Sequence, residues 1–121
     1  MKILIIDDSK VVRSFTEQML VEQGYEVFHA ENGQEGIDLI SGGAKYDYIL
    51  LDWNMPILDG PGFLEKYASL RDNQCPVIMM TTESSKEYFQ KAIELGASEY
   101  IIKPFTPDIL FGKIEMVKDA A

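Results

Sequence analysis

Four short apolar runs in this 121-residue chain each end on residues able to do chemistry together. The run over residues 3–6 meets Asp7-Asp8, the run closing at Leu51 meets Asp52, the run over 77–80 meets Thr81, and the run closing at Ile102 meets Lys103. Brought to one rim, three carboxylates, a hydroxyl and an ammonium suit phosphorus chemistry. Carboxylates crowded within several ångströms raise one another's pKa unless a cation shares the space. Magnesium fits that role, because it takes one or two carboxylates and keeps waters that a phosphate can displace. Lysine adds a mobile point charge and threonine a donor for a phosphoryl oxygen. A carboxylate is itself a nucleophile toward phosphorus, giving an aspartyl phosphate. Asp52 is the candidate acceptor, coming from a central strand with Asp8 on one side and Thr81 and Lys103 on the other. Magnesium and Lys103 would stabilise the equatorial oxygens during in-line transfer. Backbone N–H groups in the loop after Asp52 and near Thr82 would finish the cradle.

Taken singly, each of these residues has a plainer role. Paired aspartates before a helix cap it and answer its dipole, Asp52 after an apolar run turns the chain, Thr81 is a loop hydroxyl and Lys103 a solvated charge. Their joint occurrence at four strand ends is the specific signal.

The elements that must position them alternate five times between a short apolar run and a longer amphipathic stretch. Residues 2–6 are nearly all branched aliphatics, as in a strand buried on both faces. Ser9 caps a helix whose apolar positions Val12, Phe15, Met19 and Leu20 have helical spacing, and Gly24 ends it in the left-handed region. A more polar second strand over 25–29 suits an edge. Asn32 and Glu35 have capping-box spacing for a helix to about Ile40, stopped by Gly42-Gly43, with Gly36 an unfavourable interior residue. The third strand spans 46–51, a helix follows over about 61–70, and the fourth strand spans 77–80. Ser84 or Ser85 caps a helix to Leu95, the fifth strand spans 98–102, and Thr106 with Pro107 opens the last helix. Five such units with short connections give an α/β fold, a parallel sheet with helices on both faces. Ligands in such sheets sit beyond the carboxyl ends of the strands.

Composition narrows the function. Eleven basic and twenty acidic residues leave a net charge of −9, which argues against nucleic acid as a direct partner. Cys75 is alone, so no disulfide or thiolate zinc site forms, and a reducing compartment is expected. Apolar runs are far too short to span a bilayer, and the Met-Lys start leading straight into a strand is no signal peptide. The expectation is a single domain over residues 1–121, cytoplasmic, with no membrane partner.

The chain resembles the receiver domain of two-component response regulators over essentially its whole length. The resemblance is carried by Asp7-Asp8-Ser9, by Asp52-Trp53-Asn54-Met55-Pro56 with Asp59-Gly60, by the stretch ending at Thr81, and by Gly96-Ala97 leading to Tyr100-Ile101-Ile102-Lys103-Pro104-Phe105. It implies a flavodoxin-like (βα)5 doubly wound sheet of strand order 2-1-3-4-5. It further implies Asp52 as phospho-acceptor. Asp8, Asp52 and the Asn54 carbonyl become direct magnesium ligands, with Asp7 acting largely through water. Lys103 pairs with the phosphoryl group, Asn54 and Glu83 flank it, and Thr81 swings to hydrogen-bond it while the Tyr100 ring turns into the space vacated. The Lys103–Pro104 peptide is expected to be cis. The implied partners are a sensor histidine kinase or phosphotransfer domain, a downstream protein contacted through the last two helices, and a phosphatase. With no output domain expected after the fifth helix, stand-alone chemotaxis regulators acting on the flagellar motor switch are the nearest type. A receiver from another two-component pathway, or one excised from a larger regulator, is the alternative.

Two readings of other classes compete. A magnesium-dependent phosphohydrolase would use an aspartyl nucleophile on external substrates, but such enzymes typically carry a second acid two residues on, where this chain has Asn54. A flavin-binding domain would need a Ser/Thr/Gly-rich first loop, and Asp7-Asp8-Ser9 would repel the phosphate. The expected protein is therefore a switch rather than an enzyme that turns over external substrate. Trp53 reports on the acceptor or simply packs on its loop. His29, on an edge strand, is not a phospho-carrier, and Cys75 is expected to lack a partner.

Overall fold

The computed structural model describes residues 1–70 and 75–120. In chain order the elements are β1 (Lys2–Ile6), α1 (Lys10–Glu22), β2 (Glu26–Ala30), α2 (Gly33–Ser41), β3 (Tyr48–Asp52), α3 (Gly60–Tyr67), β4 (Val77–Thr81), α4 (Lys86–Glu94), β5 (Glu99–Ile102) and α5 (Pro107–Ala120). The five strands form one parallel sheet in the order β2-β1-β3-β4-β5. This is the doubly wound, flavodoxin-like arrangement that the alternating runs and the resemblance imply.

Period-two alternation along each strand divides the core. Ile3, Ile5, Leu50, Ile78, Met80 and Ile101 pack with Leu20 of α1 and with Leu110, Ile114 and Val117 of α5. Leu4, Ile6, Ile49, Leu51, Met79 and Tyr100 face the other way, against Ile37, Ile40, Phe63, Leu64 and Ala92 of α2, α3 and α4. Burial of β1, β3 and β4 on both faces explains why their sequences are apolar runs without alternation.

Register brings the strand ends level. Ile6 pairs with Leu51, so Asp7 lies beside Asp52; Asp52 pairs with Met80, one residue short of Thr81; and Thr81 pairs with Ile102, one residue short of Lys103. Met79 pairs with Tyr100, and Thr81, two residues on from Met79, lies on the same face as that ring.

The caps follow their chemistry. Ser9, Asn32, Asp59 and Ser85 each accept a hydrogen bond from the backbone N–H three residues on. Gly24 and Gly96 take φ of +88° and +109° just beyond their helices. The expected edges move by one to three residues: β2 ends at Ala30, β3 begins at Tyr48, and α3 stops at Tyr67. The end of the helix expected over 61–70 is therefore corrected, because Ala68 caps it. The Lys103–Pro104 peptide is cis.

One inward face differs from expectation. In α1 the buried residues are Arg13, Thr16, Met19 and Leu20, whereas Phe15 is 59% exposed. The stripes through 12, 15 and 19 and through 13, 16 and 20 lie one residue apart. Met19 and Leu20 face inward as expected, but Arg13 and Thr16 take the places expected of Val12 and Phe15, and the Arg13 guanidinium donates to the Asp7 carbonyl at 2.6 Å. That satisfies a buried acceptor at the end of β1.

Gly60 opens α3 against the end of β3. A Cβ there would lie 2.6 Å from the Asp52 carbonyl oxygen and 3.0 Å from Trp53 Cα, both backbone atoms that cannot swing away. Gly60→Ala is expected to destabilise the fold by about 1–3 kcal/mol despite alanine's better helix propensity. Urea unfolding checks this, and an unchanged midpoint would contradict the close approach.

Candidate functional site

The site grows from the carboxyl ends of β1, β3, β4 and β5. Asp7, Asp8 and Asp52 each offer a carboxylate oxygen within 4.8 Å of the others. Asp7 is fully buried and Asp52 nearly so, whereas Asp8 is exposed, which leaves the cluster one open side. The Lys103 ammonium joins them, at 2.7 Å from Asp7 Oδ2 and 3.1 Å from Asp52 Oδ1. The Ser9 N–H donates to Asp7 Oδ1 at 2.9 Å, and the Trp53 N–H donates to Asp52 Oδ1 at 2.9 Å. The Lys103 N–H donates to the Thr81 carbonyl at 2.8 Å, tying the lysine's backbone to the end of β4.

Electrostatics follow from this packing. Burial, and then the neighbouring Asp7 charge, push Asp52 up to about 6, against the pull of Lys103 and the Trp53 N–H. For Lys103, burial alone would lower the pKa, but its bonds and charge contacts with Asp7 and Asp52 carry it above the ordinary lysine value. Three carboxylates facing one ammonium leave an excess of two negative charges. That excess, with all-oxygen donors and an open side at Asp8, fits a hard divalent cation such as magnesium.

The sign of the pH dependence is definite. The folded chain holds a proton on Asp52 up to about pH 6, whereas the unfolded chain releases it near 3.8. Stability contributed by Asp52 is therefore greatest at acid pH and falls as pH rises from about 4 through 6. A chelator-treated sample is expected to lose about 2–3 kcal/mol from this group over that window. Millimolar magnesium should reverse the loss near pH 7, because it binds only the folded cluster. Urea titrations at several pH values, with and without magnesium, check the slope; a metal-free curve that rises through this window would contradict the burial of Asp52.

Thr81 is buried, and its Oγ1 accepts the Glu83 N–H at 3.0 Å. Tyr100 is also buried, and its hydroxyl donates to the Glu83 carbonyl at 2.5 Å. Burial, followed by the Glu83 charge, raises the Tyr100 phenol. Thr81 and Tyr100 thus hold the same backbone residue from two sides. Asn54 and Thr82 are exposed in the loops flanking the acidic cluster, and Glu83 is half-buried.

Several side chains lie elsewhere or have roles the sequence did not suggest. His29 sits on the exposed face of edge strand β2 beside Glu17, at 2.5 Å, away from the cluster. Cys75 is a free thiol, as expected, but it is tied to Tyr67: its N–H donates to the Tyr67 hydroxyl at 2.5 Å, and that hydroxyl lies 3.1 Å from its carbonyl and 3.5 Å from Sγ. Arg13 braces Asp7 from α1, and Tyr88 of α4 packs edge-on against Trp53 with ring centroids 4.9 Å apart. Only the spacing of Arg13 with Thr16 and Leu20 hinted at the first. Nothing in the sequence pointed to the second.

Among the described residues no helix is long and apolar enough to cross a membrane. Known proteins resemble the chain over nearly all its length. The response regulator receiver domain family matches residues 3–115. Chemotaxis protein CheY1 of Helicobacter pylori is 39% identical over 119 residues, 97% of this chain and 96% of that protein. The chemotaxis protein CheY homolog of Campylobacter jejuni is 37% identical over 97% of this chain and 92% of its own. Among solved structures, Vibrio cholerae chemotaxis protein CheY4 superposes with a TM-score of 0.84 at 34% identity, covering 96% of this chain and 97% of its own. The receiver domain of Francisella response regulator 1452 superposes with a TM-score of 0.88 at 30% identity, covering 98% of this chain and 97% of its own. With the acidic cluster, its lysine and this fold in hand, the chain belongs to the response regulator receiver domain family.

Proposed function

We propose that residues 1–121 act as one phosphorylation-controlled switch in which Asp52 takes a phosphoryl group from a histidine kinase or phosphotransfer domain. The observation that carries this reading is the buried contact of Asp52 with Lys103 inside a three-carboxylate cluster open at Asp8. The Asp52 carboxylate attacks phosphorus, the phosphorus–nitrogen bond of the donor breaks, and the imidazole departs with that electron pair. Lys103 holds the negative charge that builds on the transferred oxygens, and backbone N–H groups near Asn54 and Thr82 complete the cradle. Asp7, Asp8, Asp52 and the Asn54 carbonyl would hold magnesium. When bound, the ion would supply charge neutralisation on the phosphoryl oxygens. Water later cleaves the acyl phosphate and returns the free carboxylate.

Phosphate on Asp52 draws the Thr81 hydroxyl toward it and away from the Glu83 N–H, and Tyr100 turns with the rearranged loop. The changed α4, β5 and α5 surface then meets a downstream protein. The names of the Helicobacter, Campylobacter and Vibrio relatives support chemotaxis as the pathway. The downstream protein is then of the flagellar motor switch kind, with a phosphatase to reset the switch in the cytoplasm. The match to the Francisella receiver domain favours a second reading, in which the same switch serves another two-component pathway or a longer regulator. External substrates are not turned over, and neither nucleic acid nor membrane is a partner.

The test is incubation with magnesium and a small acyl phosphate, read by intact mass. One acid-stable, base-labile phosphate per chain is expected. Steady turnover of small phosphate esters without labelling would favour a phosphohydrolase instead.

A further inference from the structure

Asp52 is linked to α4 by contacts that do not include Thr81. The Trp53 N–H is bonded to the Asp52 carboxylate, the residue is 9% exposed, and its indole packs edge-on against Tyr88 in the first turn of α4. The next residue, Phe89, packs edge-on against Tyr100, with centroids 5.7 Å apart and the planes at 79°. Successive helix residues project about 100° apart, so one turn of α4 touches both the acceptor loop and the β5 tyrosine.

The helix they grip is lightly anchored. The helices α1, α2 and α3 each bury four residues, whereas Ala92 is the one buried residue of α4. Phe89 and Ile93 are 43% and 41% exposed. A helix with so little apolar burial is inexpensive to move, and its placement rests heavily on its few ring contacts. New charge on Asp52 acts directly on the donor that Trp53 supplies, and packed rings transmit a shift of that peptide rather than absorb it.

We infer that Tyr88 is a positioning residue, through which the Trp53 indole conveys the state of Asp52 to α4 along a path parallel to that of Thr81 and Tyr100. This inference rests on Asp52 being the acceptor, and the experiment separates the two. Wild type, Tyr88→Ala, Tyr88→Phe and Phe89→Ala are each treated with magnesium and an acyl phosphate. Labelling is read by intact mass, and α4 backbone hydrogen exchange is compared with and without the phosphate. Failure of wild type to label at Asp52 overturns the parent reading. Given labelling, the exchange rates of α4 in wild type should change about 3- to 10-fold on phosphorylation. Tyr88→Ala should reduce that difference to below about twofold, and Tyr88→Phe, which keeps the ring, should restore it. Phe89→Ala tests the other contact and should blunt the response while leaving Trp53 packed. A merely structural tyrosine would shift both states of Tyr88→Ala alike and leave the difference intact. That outcome, or no α4 change in labelled wild type, overturns the inference.

Discussion

Asp52→Asn is expected to take up no phosphate from a small acyl phosphate under conditions that label wild type fully, and also to be the more stable protein near neutral pH without metal. Both effects come from one carboxylate. Asparagine keeps the size and an oxygen for the Trp53 N–H but lacks the anionic nucleophile, so transfer should fall below detection by intact mass. It also removes a charge that burial and Asp7 oppose, the pressure that lifts Asp52 to about 6. Relief of that pressure is worth about 2–3 kcal/mol at pH 7. Urea unfolding with chelator present should show the gain, and magnesium should narrow it, because the ion stabilises the wild-type cluster more. Equal labelling of wild type and variant would move the acceptor away from Asp52. A variant less stable than wild type would contradict the electrostatic reading.

Lys103→Ala should have the opposite effect on stability and a large effect on transfer. The ammonium lies at hydrogen-bonding distance from Asp7 and Asp52, and Asp7 has no exposure to water. Removing one partner of such a contact leaves a buried charge uncompensated, at a cost of about 3 kcal/mol. Transfer from an acyl phosphate should slow by about 10²- to 10³-fold, the usual loss when one preorganised charge facing a developing anion is removed. Lys103→Met keeps the aliphatic stem beside Pro104, so it isolates the charge from the packing. Both variants should slow to a similar extent, with the methionine the more stable. A methionine variant labelling at the wild-type rate would remove Lys103 from the chemistry. Magnesium should recover part of the lost stability in both, since it supplies the missing positive charge.

Much of this site could be read from residue order because the sheet is parallel. Each strand delivers its last residue to the same rim, so Asp7, Asp52, Thr81 and Lys103 needed only the positions where apolar runs stop. Strand order was less accessible. Which strand lies beside which depends on long-range pairing, and it entered through the resemblance. The inward face of α1 was legible in its second half, at Met19 and Leu20, but not in its first, where Arg13 and Thr16 are buried in place of Val12 and Phe15. Hydrophobicity gives no hint of a buried arginine, whose guanidinium is bonded to the Asp7 carbonyl. The ring contact between Trp53 and Tyr88 joins a loop to a helix across the top of the sheet, and no local pattern encodes such a meeting. The bonds of Tyr67 to Cys75 were hidden in the same way, because the tyrosine scores as a core aromatic and its hydroxyl as an afterthought.

The bond between Lys103 and Asp7 joins residues 96 positions apart. Its two ends lie just beyond the first and fifth strands, so nearly the whole polypeptide must emerge and assemble before the notch is closed. A product lacking the final strand would present Asp7 and Asp52 without the ammonium that contacts both. The charge pairing at the rim is therefore complete only once the whole sheet has assembled.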